Sequence, residues 1–430
     1  MAEKKLQCVG VIGLGYVGLP LSLLLVKKGF DVIGVDIDKG KINDLNNGMS
    51  YITDIDPIQI TDAFRTGRFK VTSGYEIVSK MDHIIICVPT PLKKNKEPEL
   101  RYLLEVGSNL GEQPLEGKLI ILESSTYPGT TTEVLKPLLE KNDLKVGKDI
   151  YLGYSPERID PATRSIHVED IPKVISGVTD ECLKRVRTFY KKIFNEVVEV
   201  SSPEVAEFTK LLENSYRFIN ISFVNEMAML CDGLNIDIWE AISAASTKPY
   251  GFTPFYPGPG VGGHCIPVDP FYLDWKARKV GIENSMINAA ETINDRISEY
   301  IVNSLINHLP KPKDTKYKVF IYGIAYKKDI NDARESHSIP IIKKLMSLGV
   351  DVSFHDPYIN NIIVDQLELK SSPLTKEDLV NADCVLILTD HSSIPIELII
   401  EHSTLIFDTK NVSSHFKGEA KIIRLGSGRQ

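Results

Sequence analysis

The sequence predicts an α/β fold: two Rossmann-like, doubly wound lobes joined by a helical central domain with one long helix. Three observations carry this. Apolar strand-like runs alternate with helical patterns at both ends of the chain, a glycine turn follows the leading strand of each end, and the middle breaks the alternation. Alternating buried strands and helices mark a parallel sheet covered on both faces.

In chain order, residues 6–12 form an apolar strand that runs into the turn Gly13-Leu-Gly-Tyr-Val-Gly18 and a helical pattern over 19–28. Residues 30–36 give the next strand, and further strand-like runs occupy 84–88, 119–123 and 150–154. From Pro203 the spacing turns helical, with Val205, Phe208, Leu211, Leu212, Tyr216, Ile219, Phe223, Met227 and Leu230 repeating every three or four residues. Helical stretches at 239–245 and 287–309 follow, and the polar segment 310–316 reads as a linker. Strand candidates then resume at 318–323, 350–357, 383–389 and 405–408. The ends echo each other, since each runs strand, glycine turn, helix, then a strand closing on Asp36 or Asp356. The expected domains are a dinucleotide lobe over 1–200, a helical catalytic and dimerisation domain over 201–310, and a second Rossmann-like lobe over 317–430. The long apolar helix predicts a homodimer or higher homo-oligomer.

Composition bounds the function. The 430 residues are 43% hydrophobic and 25% charged, the profile of an ordinary globular protein. A net charge of −7 offers no basis for nucleic-acid binding. The six cysteines are scattered without metal-ligand spacing, so no metal is expected and five read as small buried hydrophobes. No leader pattern precedes the opening strand, and no apolar run reaches the ~18 residues of a membrane helix. The expectation is a cytoplasmic protein in a reducing compartment.

The turn Gly13–Gly18, between a strand and a helix, suits a pyrophosphate at the helix N-terminus. Asp36 closes the next strand, where a carboxylate accepts from the ribose 2′-OH and repels a 2′-phosphate, so NAD is expected over NADP. Gly13, Gly15, Tyr16, Val17, Gly18, Asp36 and the nearby Lys41 form the predicted cofactor set. Pro89 and Thr90 in Val88-Pro-Thr-Pro91, and Thr126 in Ser124-Ser-Thr-Tyr-Pro-Gly-Thr130, follow strand ends and join it.

The least ordinary stretch is Pro257-Gly-Pro-Gly-Val-Gly-Gly-His-Cys-Ile-Pro-Val-Asp269, with four glycines and three prolines in thirteen residues. It cannot be a helix or a plain strand, and ordering it costs entropy, so it is expected to hold something in place. It presents the Cys265 thiol, with His264 beside it and Asp269 four residues on. Lys210 and Asn214 stand one turn apart on one face of the long helix.

GLGYVG, VPTP, SSTYPGT, SPER, KLLEN, GPGVGGHCIPVD and GIAYKKDINDARES occur in this order along nearly the whole chain. The series resembles the UDP-sugar 6-dehydrogenases, relatives of UDP-glucose dehydrogenase. The variants SPERIDP, TKPYGFTPFYPGPG and GPGVGGHCIPVDPFYL resemble the branch acting on UDP-N-acetylhexosamines. The resemblance implies oxidation of the sugar C6 alcohol to a carboxylate with two NAD, through a thioester on Cys265, for surface polysaccharide synthesis. It implies that Lys210 stabilises developing oxyanions, Asp269 holds a water and the lysine's proton state, and Glu157 activates the hydrolytic water. Thr126 hydrogen-bonds nearby and Asn214 orients substrate. Arg158, Tyr256, Gly260, Gly262 and Lys327 complete the implied substrate set, while Arg334 reaches NAD. His264 is read as a packing residue. Two departures stand out: Lys410 replaces the arginine of an Asp-x-Arg element, and Val268 stands where UDP-glucose enzymes commonly carry lysine. The expected substrate order is UDP-N-acetylglucosamine, then its galacto and manno epimers, then UDP-glucose.

Two other activities share part of this pattern. A two-electron dehydrogenase would share the first lobe and the helix lysine but needs no Cys265. An idle nucleotide-sugar sensor would be marked by loss of Cys265, Lys210 or Asp269, and all three are present. Cys265→Ser is predicted to stall at an intermediate or lose the second oxidation; normal conversion to the uronate would rule out the thioester.

Overall fold

The computed structural model describes residues 7–52, 55–158, 167–263, 265–312 and 315–428. Two compact units emerge: Met1–Glu213 with Phe271–Glu283, and Asn214–Pro270 with Asn284–Gln430. The division falls inside the long helix Pro203–Leu234. No helix among the described residues is long and apolar enough to cross a membrane.

The first unit is built on β1 (Cys8–Ile12), β2 (Asp31–Val35), β3 (Phe69–Thr72), β4 (His83–Ile86), β5 (Leu119–Leu122), β6 (Tyr151–Tyr154), β7 (Lys173–Gly177) and β8 (Val197–Glu199). Their order is β3-β2-β1-β4-β5-β6-β7-β8, and only β6 and β7 pair antiparallel. The first six follow the dinucleotide-binding order, whose switch point lies between β1 and β4. Both faces are buried. Val9, Val11 and Ile85 feed one core while Ile12, Ile84 and Ile86 feed the other. Period-two alternation into two apolar layers is why these strands are almost uniformly apolar.

The second unit continues the long helix and adds helices Ile238–Ala245 and Ser285–His308 before its sheet. Its strands are β9 (Lys318–Tyr322), β10 (Asp351–His355), β11 (Asn361–Val364), β12 (Leu367–Lys370), β13 (Cys384–Ile387), β14 (Leu405–Asp408) and β15 (Lys421–Arg424). Five of them form a parallel sheet ordered β10-β9-β13-β14-β15, while β11 and β12 pair as an antiparallel hairpin. This is the other common doubly wound order, with its crevice at the β9/β13 switch.

The echo between the chain's ends is physical. Gly13 N–H donates to the Val35 carbonyl at 2.8 Å, and Gly323 N–H to that of His355 at 2.9 Å. Leu14 N–H donates to Asp36 Oδ2 at 2.9 Å, and Ile324 N–H to Asp356 Oδ2 at 2.6 Å. The two carboxylates then diverge. Asp36 also accepts from Asp38 N–H and Lys41 Nζ. Asp356 is saturated, taking Ala325 N–H, the His391 Nε2, Tyr358 N–H and Ile359 N–H as well.

Those donors hold the Asp356 carboxyl at about 2 against the desolvation that opposes them. A folded-state value below the unfolded one stabilises the fold above about pH 4, and the contribution fades as pH falls toward 2. Asp356→Ala should therefore lower stability by about 3 kcal/mol or more at neutral pH, because several buried donors lose their acceptor. Urea titration at pH 7 and pH 3 checks this, and the deficit should shrink at the lower pH.

Candidate active site

The nucleotide turn is shaped by what cannot fit. A Cβ on Gly13, at φ +94, would strike the Cys87 carbonyl at 2.6 Å, and one on Gly18 the Gly13 oxygen at 1.8 Å. Gly15 differs, since a Cβ there meets nothing within 4 Å. Packing does not require that glycine, whereas close approach of a pyrophosphate does. The helix Gly18–Lys27 also begins without a side-chain cap, leaving N–H groups for an anion. Val17 is half-buried and Tyr16 exposed beside this turn. With Asp36 at the end of β2 retaining acceptor capacity, these residues fit NAD. Lys41 lies 3.4 Å from Asp36 and its ammonium faces the Tyr51 ring, whose hydroxyl closes on the Leu14 carbonyl at 2.6 Å.

Two loops follow the ends of β4 and β5. Pro89 is exposed, while the buried Thr90 hydroxyl donates to the Ser125 carbonyl at 2.5 Å and ties the loops together. Thr126 is fully buried, 2.6 Å from Thr130 Oγ1. Thr130 spends its own proton on the Tyr127 carbonyl at 2.8 Å, so Thr126 is the donor of the pair. The loop is clamped to the long helix by Glu207. Its carboxylate accepts from Gly129 N–H at 2.6 Å, Thr131 N–H at 2.8 Å and the Thr131 hydroxyl at 2.6 Å. Burial raises this carboxyl to about 7 despite its donors.

Glu157 follows β6 and is nearly buried. Its Oε1 accepts from Arg158 N–H at 2.7 Å and its Oε2 stands 3.6 Å from Lys173 Nζ. Lys173 also binds Glu123 at 2.9 Å, and the Tyr190 hydroxyl donates to that same carboxylate. Burial raises the Glu123 carboxyl, while for Lys173 burial is outweighed by the two carboxylates and the ammonium keeps its proton. The Arg158 guanidinium is occupied by Glu213, at 2.6 and 3.3 Å, and by the Pro172 carbonyl at 2.8 Å.

On the long helix, Lys210 and Asn214 are both buried. Asn214 Nδ2 donates to Asp269 Oδ2 at 2.6 Å, and Asp269 is 2% exposed. The Cys265 carbonyl accepts from Val268 N–H at 3.1 Å and Asp269 N–H at 2.8 Å, where the helix Asp269–Lys279 begins. Cys265 is exposed, whereas the other five cysteines are buried or partly so. His264, and residues 159–161 of the SPERIDP motif, lie outside the described residues. A Cβ on Gly260 would strike the His337 ring at 2.4 Å, and one on Gly262 the Glu335 carbonyl at 2.7 Å. These glycines let the loop press against the segment after β9. Tyr256 is exposed and stacks near Trp239, with centroids 6.0 Å apart. Lys327 is half-buried, and Arg334 pairs with Asp332 at 2.6 Å. Lys410 reaches Gly258, where an added Cβ would lie 3.1 Å from its Nζ.

Family models match three successive segments: the UDP-glucose/GDP-mannose dehydrogenase family NAD binding domain over 7–194, its central domain over 204–296 and its UDP binding domain over 320–415. The chain belongs to the UDP-glucose/GDP-mannose dehydrogenase family. Its members are NAD-dependent oxidoreductases of nucleotide sugars. It is 33% identical to a UDP-N-acetyl-D-mannosamine dehydrogenase of Methanococcus vannielii, over 99% of this chain and 98% of that one. It is 35% identical to a UDP-N-acetyl-D-glucosamine 6-dehydrogenase of Pseudomonas aeruginosa, over 82% and 83%. A UDP-D-ManNAc dehydrogenase structure from Pyrococcus horikoshii superposes with a TM-score of 0.88 at 29% identity, covering 98% of this chain and all of the other.

Sequence reasoning missed Glu207, Lys173, Glu123 and Tyr190. Glu207 lies one turn before Lys210, the only clue a sequence offers. Glu207→Ala should leave two buried N–H groups unpaired and cost about 2–4 kcal/mol. Urea unfolding measures that loss, and NADH production should fall with it as Thr126 shifts.

Proposed function

We propose that the chain oxidises the C6 hydroxymethyl of a UDP-N-acetylhexosamine to the carboxylate by four electrons, through a thioester on Cys265. One observation carries this: an exposed thiol at a helix start, four residues before an Asp269 carboxylate held by Asn214. A two-electron dehydrogenase has no use for that thiol. We assign the NAD lobe to 1–200, the helical domain to 201–310 and the UDP-sugar lobe to 317–430, in line with the matched segments.

NAD, when bound, accepts one hydride in each oxidation. The alcohol gives its proton to water and loses a hydride to become the aldehyde, and Lys210 stabilises the alkoxide charge as it forms. The Cys265 thiolate adds to the aldehyde carbon, and Lys210 and Asn214 hold the resulting oxyanion. Loss of a second hydride leaves the thioester. Glu157 takes a proton from water, which adds to the acyl carbon; the thiolate leaves and the carboxylate is released. Asp269 fixes Asn214, and Thr126 positions the nicotinamide side. Arg158, with its guanidinium on Glu213, acts by bracing the Glu157 loop, and Gly260 and Gly262 act by shaping the thiol loop. Lys327 and Tyr256 take the nucleotide sugar, and Arg334 takes NAD.

UDP-N-acetylglucosamine stands first on the sequence variants. The manno epimer is favoured by a UDP-N-acetyl-D-mannosamine dehydrogenase that aligns over 99% of this chain. The uronate product feeds surface polysaccharide synthesis, and a reduced thiol sets the activity in the cytoplasm. Phe208, Leu212, Tyr216, Phe223 and Leu230 are exposed along one stripe of the long helix, which a second copy of the chain covers.

The test is NADH formed per nucleotide sugar consumed, run to completion on the gluco, manno and galacto acetamido sugars and on UDP-glucose. A ratio of two on an acetamido sugar is expected. A ratio of one moves the chain to the two-electron class, and no turnover on any of them points to a sensor.

A further inference from the structure

The loop before Cys265 is tied to its surroundings by a chain of side chains in which every proton can be assigned. Val261 N–H can only donate, so the oxygen it meets at 2.7 Å is Asn294 Oδ1. Asn294 Nδ2 therefore faces His337 Nε2 at 3.0 Å and donates to it. With Nε2 an acceptor, the neutral imidazole carries its proton on Nδ1, 2.7 Å from Ser298 Oγ. Ser298 passes its own proton to the Pro259 carbonyl at 3.4 Å. The path leaves the loop at Val261 and returns at Pro259. Two further restraints flank it: Gly263 N–H donates to the Arg334 carbonyl at 3.2 Å, and Gly258 N–H to Asn225 Oδ1 at 2.9 Å.

His337 is the member that no sequence motif explains. Gly260, at φ +138, is moulded to its ring, since a Cβ there would lie 2.4 Å from it. Desolvation lowers its pKa below the ordinary histidine value, against Asp295 and the Val261 backbone, which matches the neutral tautomer the hydrogen bonds require.

We propose that His337 is a positioning residue for Cys265: its imidazole, protonated at Nδ1, closes the relay that sets residues 259–263 and so aims the thiol at the aldehyde carbon. The inference rests on the thioester reading of Cys265. A nucleophile displaced by about 1 Å loses up to a hundredfold in rate, and addition to the aldehyde is the step that suffers. The alcohol's oxidation does not use the thiol.

Three variants test this. His337→Leu removes both ring hydrogen bonds. His337→Gln keeps one acceptor and one donor, as the imidazole does. Ser298→Ala opens the relay while sparing the ring. With UDP-N-acetylglucosamine or its manno epimer, whichever wild type oxidises, and semicarbazide to trap free aldehyde, the Leu and Ala variants should keep KM and the first hydride transfer within about twofold. Their second oxidation should slow about tenfold or more, with NADH per sugar falling from two toward one and trapped aldehyde accumulating. The Gln variant should recover most of the loss. Equal slowing of both oxidations, or a Gln variant as impaired as the Leu variant, would make His337 a stability residue and overturn the proposal. Should the Leu variant fail to fold, Ser298→Ala decides, and wild-type partition there overturns it too. Cys265→Ser is run alongside: full uronate formation by that variant would be a failure of the thioester reading itself.

Discussion

Each lobe depends on a carboxylate that holds a glycine turn in place. Asp36 and Asp356 close the second strand of their sheets and accept from the backbone that leaves the first. The turn must then bend with a positive φ at Gly13 and at Gly323, where a Cβ would collide with the strand end alongside. Everything placed at the carboxyl ends of the strands is referred to these turns. The difference between them is equally informative. Asp36 keeps room for another donor, as ribose recognition demands, whereas Asp356 is closed by His391 and four backbone N–H groups. One turn geometry thus recurs in both lobes, and the first lobe's carboxylate carries fewer donors than the second's.

The same logic, backbone fixed by buried side chains, runs through the loops that carry the proposed reacting groups. Glu207 fixes the Thr126 loop, Lys173 the Glu157 loop, and Asn294, His337 and Ser298 the Cys265 loop. None of these need touch substrate. They convert irregular segments, costly to order, into rigid presentations of a hydroxyl, a carboxylate and a thiol. Lys173 shows the electrostatic side of this design, since one buried ammonium balances Glu123 and Glu157 together.

Much of this was legible in the residues. Uniform apolar runs such as Leu119–Leu122 announce strands buried on both faces, and Pro203–Leu234 announces itself by its repeat. The turn glycines and Cys265 stand out because their chemistry has few other uses. What escaped depends on distance in sequence. Lys173 is polar inside a strand, and its reason is Glu123, fifty residues away. The β11–β12 hairpin turns through Asp365 and Gln366 at positive φ, without the glycine that would signal it. His337 acquires meaning only against Gly260 and two residues of the Ser285–His308 helix. The ion pair of Arg158 with Glu213, fifty-five residues on, is likewise invisible in the sequence.

The central claim is that Cys265 carries the acyl group. Glu157→Gln enzyme, mixed with NAD and the preferred UDP-N-acetylhexosamine and quenched in acid within the first turnover, should retain the sugar acyl mass on the peptide containing Cys265. A burst of two NADH per active site should accompany it. An unmodified Cys265 peptide despite that same burst would contradict the account.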